Sequence, residues 1–64
     1  MSFELHDVVK TRNAIPAEGI PAGARGTIVV VASQPREAYI VEFCDEQGQT
    51  LAMTVMEPGQ LQAA

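Results

Sequence analysis

Basic and aromatic residues are scarce in this chain. Its 64 residues hold four Lys and Arg against eight Asp and Glu, a formal net charge of −4. Nucleic-acid binders draw most of their affinity from phosphate neutralisation by such bases, so Lys10, Arg12, Arg25 and Arg36 make a poor electrostatic footprint. An anionic membrane surface is disfavoured for the same reason. There is no Trp, one Tyr and two Phe, which argues against a groove for polyproline ligands. Cys44 is the single cysteine, so no intramolecular disulfide can staple the domain. The longest apolar run, Ile28 to Ala32, falls far short of the roughly 20 residues that span a bilayer. The first residues have no basic stretch leading into an apolar run, so no signal peptide is expected. The expected setting is soluble, reducing and cytoplasmic.

What the chain does have is apolar content, 47% of residues. That is too much for intrinsic disorder. The length allows one domain, residues 1–64, with marginal burial of about 60% of the unfolded surface. Gly and Pro punctuate the sequence, and short β-rich runs lie between them. The residues predict strands over 7–11, 26–32, 38–44 and 50–56, with a short last strand from Leu61. Gln62 to Ala64 is expected to be a frayed tail. Residues 12–25 form a long loop, either folded back on Ile15 and Ile20 or functional. Residues 57–60 suit a tight turn or one turn of 3₁₀ helix. Alternation places Tyr39, Val41 and Phe43 on one face.

Four to five short antiparallel strands, with a long first loop and a short 3₁₀ turn before the last strand, predict an all-β fold, a small SH3-like barrel. A flat meander would leave one apolar face wet, and curling the sheet would cover it. The expected core is Val8, Ile28, Val30, Val41, Phe43, Leu51, Met53, Val55 and Leu61.

The segments Asp7-Val8-Val9, Gly26-Thr27-Ile28-Val29, Tyr39 to Asp45 and Gly48 to Ala52, closed by Leu61, together resemble the small bacterial family catalogued as domain of unknown function 4926. The resemblance runs from Phe3 to Leu61, and Tyr-x-Val-Glu-Phe followed by Gly-x-Thr is its most specific part. It implies an SH3-like barrel and no established activity. The Asp-Val-Val and Gly-Thr-Ile-Val pattern is also similar to the SH3-like barrel of the nitrile hydratase β-subunit and its accessory proteins, which implies a partner-binding role.

Chemistry-bearing residues are few. His6, Asp7 and Cys44 lack the spacing of a metal site, which needs three or four converging ligands. Asp45 and Glu46 beside Cys44 disfavour a reactive thiolate. No enzyme activity, cofactor or metal is expected. Glu42, Asp45 and Glu46 read either as a docking rim or as a solvated hairpin tip. The strands carry more apolar residues than one interior holds, and an exposed apolar patch marks an interaction surface. The expected contact is Val29, Val31, Ile40 and Met56, rimmed by Glu42, Asp45 and Glu46. The function expected is therefore a non-enzymatic acidic protein-binding module: an adaptor, an accessory or an antitoxin-like partner, or a homo-oligomer. The alternative is a nucleic-acid-binding barrel, with Lys10, Arg12 and Arg25 gathered beside Tyr39 as a stacking platform.

Overall fold

A computed structural model describes residues 3–64. Five strands form: β1 Val8–Thr11, β2 Arg25–Ala32, β3 Ala38–Cys44, β4 Thr50–Met56 and β5 Leu61–Ala63. All pairings are antiparallel, in the order β4-β3-β2-β1-β5. β3 and β4 fall where their β-branched and aromatic runs predict. β5 extends further than expected: Gln62 and Ala63 pair with Lys10 and Val9 rather than fraying.

The sheet is open, which corrects the SH3-like barrel. β4 and β5 are its two edges and do not pair with each other. β5 has three residues and lies on the far side of β1, so no strand returns to close the ring. One sheet face is covered without closure. The loop between β1 and β2 folds back through paired backbone bonds between Ile15 and Ile20 (2.7 and 3.1 Å). Between them lies a 3₁₀ turn, Pro16–Glu18, ended by Gly19 in the left-handed region at φ 69°. Ile20 thereby enters the core, with Ile15, Ala24 and Phe3 packed against it. A second 3₁₀ turn, Pro58–Gln60, leads into β5, and the Gln60 side chain accepts the Glu57 N–H at 2.8 Å.

The inner face is built in rows across the strands. Val9, Gly26, Phe43 and Ala52 form one row. Ile28, Val41 and Thr54 form the next, then Tyr39 and Met56. The observed core is Val9, Ile20, Ile28, Tyr39, Val41, Phe43, Ala52, Met56 and Leu61. Five expected core residues lie outside it: Val8, Val30, Leu51, Met53 and Val55 are all exposed. Two register irregularities contribute. One lies in β2 between Ile28 and Val30, so Val30 faces outward beside Ile40. The other, at Phe43/Cys44, leaves Leu51 as an extra residue on β4.

Candidate functional site

The outer face of β2, β3 and β4 is the candidate site, because Val30, Met53 and Val55 stand exposed on it. Val30, Ile40 and Val55 stand side by side in one row. They border a shallow depression of about 190 Å³ that Ala32, Ala38 and Tyr39 complete. The neighbouring row is Val8, Thr27, Glu42 and Met53. Its Val8, Thr27 and Glu42 border a second depression of about 200 Å³, lined also by Arg25, Gly26 and Cys44. Both are smaller than the roughly 300 Å³ at which small-molecule pockets begin. The geometry suits contact with a surface.

Only part of the expected contact patch assembles here. Ile40 and Glu42 lie on the outer face. Met56 does not: it is 2% exposed, packed in the core on the row of Tyr39. Val31 is exposed but pairs with Tyr39 at the end of the sheet. Val29 is half-buried at the irregularity in β2. Val30, Val55, Met53 and Val8 take the places left open. The missed signal was size: β4 puts its small Ala52 against Phe43, which frees Leu51, Met53 and Val55 for the outside.

The acids of the rim hold local structure. Asp45 Oδ1 accepts the N–H groups of Gln47 and Gln49, both at 2.9 Å, and Gly48 closes the hairpin at φ 82°. Glu42 accepts the Thr50 hydroxyl at 2.5 Å. Glu46 is exposed at the tip. Lys10 and Arg25 are direct cross-strand neighbours, while Arg12 donates from Nε to the Leu61 carbonyl at 3.0 Å. Tyr39 is not beside them as a platform; it is 1% exposed. Among the described residues no three of His, Cys, Asp and Glu cluster as metal ligands. His6 occupies a turn at φ 72°, its N–H donating to the Ile28 carbonyl at 2.8 Å.

Tyr39 anchors the N-terminal segment. Its hydroxyl donates to Glu37 and accepts the Phe3 N–H at 2.9 Å, and the Phe3 ring stands edge-on to it at 5.7 Å. Burial first, then the Glu37 hydrogen bond, push the phenol above its ordinary 10.0. The unfolded chain loses this proton first as pH rises, so stability is full below pH 10 and falls above it. Urea midpoints should be flat from neutrality to about pH 10 and then decline. Tyr39→Phe should remove its share of that alkaline loss while lowering stability at neutral pH by about 1 kcal/mol.

Residues 5–63 match the family described as Domain of unknown function (DUF4926). The chain belongs to this family. No curated protein and no solved structure matches it, so the likeness to nitrile hydratase proteins finds no support. The match to DUF4926 covers the whole sheet, both outer rows included, and assigns no activity to any residue. No helix among the described residues is long and apolar enough to cross a membrane.

Proposed function

We propose that this DUF4926 chain is a non-enzymatic protein-binding module whose outer sheet face docks on a protein partner. The observation that carries the reading is the row Val30, Ile40 and Val55, apolar on three adjacent strands, with Val30 42% and Val55 69% exposed. Contiguous exposed apolar area is rare on monomers unless something binds there. The partner that fits has an apolar patch flanked by bases, because the chain carries −4 and Glu42 stands on this face. An accessory or neutralising role beside a basic protein suits that chemistry.

The nucleic-acid alternative has the Lys10–Arg25 pair in its favour. Its stacking residue, Tyr39, is buried, which weakens the argument for it.

The test is capture from native lysate at low salt, with and without nuclease, using the wild type and Ile40→Glu. The side chain of residue 40 points off the sheet, so the variant should keep its fold, checked by its urea midpoint. The expected result is a stoichiometric protein partner, indifferent to nuclease, weakened by added salt and reduced at least tenfold by the variant, since a buried unpaired charge costs more than about 1.4 kcal/mol. Equal capture by both proteins, or recovery of nucleic acid alone, would overturn the proposal.

A further inference from the structure

Open sheets present rows of unpaired N–H and C=O groups at their edges. Folded proteins protect such edges with shortness, charge, proline or bulges. β5 is protected by its three residues. β4 is not. It is seven residues long, Thr-Leu-Ala-Met-Thr-Val-Met, with no charge and no proline. Its one irregularity sits at the first end, beside Leu51, and leaves Ala52–Met56 regular.

That regular segment is self-complementary. Antiparallel pairing about a two-fold axis through Thr54 sets Met53 opposite Val55 of the second copy, twice. It sets Ala52 opposite Met56 and Thr54 opposite itself. Met53 and Val55, 58% and 69% exposed, would then cover one another as cross-strand pairs. On the inner face the Thr54 hydroxyl is buried and has no hydrogen-bond partner among the described residues. Rotation about its Cα–Cβ bond would turn it toward its counterpart, a recognised cross-strand pair.

Charge permits this approach although each copy carries −4. Glu42 shares a row with Met53, so that row runs on to Val55 and Ile40 of the second copy and meets no acid. Glu57, just past the strand, is paired with Arg36 at 3.5 Å. We infer that the free edge of β4 pairs antiparallel with the same edge of a second copy, the axis passing through Thr54. This isologous contact needs the edge of β4. The docking proposal needs the face centred on β3, and neither rests on the other. One strand edge buries less than the roughly 1,200 Å² of a standard interface, so the dimer is expected to be concentration-dependent.

Two measurements test it. Sedimentation of the wild type from about 10 μM to about 1 mM, the range in which weak contacts dissociate, should show the mass rising toward twice the monomer. In a Cys44→Ser background, Met53→Cys and Val55→Cys proteins, one carrying an isotopic mass label, are then mixed and oxidised at high concentration. The mixed disulfide should exceed either self-disulfide several-fold. Residues 53 and 55 are directly opposed, whereas each lies diagonally from its own counterpart at about 7–8 Å, beyond ordinary disulfide reach. A mass that stays monomeric throughout, or self-disulfides as abundant as the mixed one, would overturn the inference. An Ile40→Glu protein that loses partner capture but still dimerises would overturn neither proposal and support both.

Discussion

Gly26→Ala should lower stability by about 2–3 kcal/mol, and Gly26→Val should prevent folding. A Cβ at this position would lie 2.5 Å from Val41 Cγ1, 3.0 Å from the Glu42 carbonyl oxygen and 3.0 Å from Phe43 Cδ1. None of these atoms has room to withdraw. Val41 and Phe43 are fully packed, and the carbonyl belongs to the backbone of β3, held between β2 and β4. Overpacking of this kind typically costs about 1–3 kcal/mol, occasionally more. A chain of this length has roughly 3–10 kcal/mol in total, so the added methyls of valine exceed what it can absorb. The control is Gly59→Ala, where nothing lies within 4 Å of the new methyl. Its urea midpoint should equal or slightly exceed that of the wild type, because alanine restricts the unfolded chain more than glycine does. Equal midpoints for Gly26→Ala and Gly59→Ala would show that the approach of β3 to β2 is looser than described.

This glycine also shows what the sequence made legible. Gly26-Thr27-Ile28-Val29 reads as the start of a strand from its β-branched run, and it is one. The need for glycine comes from β3, from Val41 first and then from the Glu42 carbonyl and the Phe43 ring, and a single strand does not reveal its partner. β3 was legible in extent and in face, because Tyr39, Val41 and Phe43 alternate with Ala38, Ile40, Glu42 and Cys44, although Tyr39 was not expected in the core that it joins. β1 and β4 were legible in extent but not in face. Val8 and Val9 are adjacent and equally apolar, so period two gives no choice; pairing with Gly26 selects Val9. In β4 both parities are apolar. The larger set, Leu51, Met53 and Val55, is the outer one, because Phe43 and Tyr39 already fill the space that Ala52 and Met56 share with them. Closure depends on whether the two edge strands meet, a property of lengths and angles that local pattern does not carry. The surplus of apolar residues was therefore legible but not its arrangement: Ile40 and Glu42 stand on the outer face and Met56 on the inner one.

The inversion of β4 gives a second large effect. Met56→Ala should cost about 2–5 kcal/mol and Phe43→Ala about 3–5 kcal/mol, the range for emptying a packed core site. Either loss is comparable with the total for a chain this short, so Phe43→Ala should be largely unfolded at 25 °C. Met53→Ala, one of the same residue type on the same strand, should stay within about 0.5 kcal/mol of the wild type, since surface truncations rarely do more. The pair isolates the face, because strand propensity and residue chemistry are matched between positions 53 and 56. Measurement belongs at low micromolar concentration, where the proposed edge contact would be dissociated; at high concentration Met53→Ala should acquire a cost that Gly59→Ala lacks, because Met53 then has Val55 of a second copy to lose. Equal losses at 53 and 56 in dilute solution would mean that the outer row of β4 is already covered within one chain. That result would remove the exposed Met53 and Val55 that the edge pairing is argued from, and would take Val55 out of the docking row while leaving Val30 and Ile40 on it.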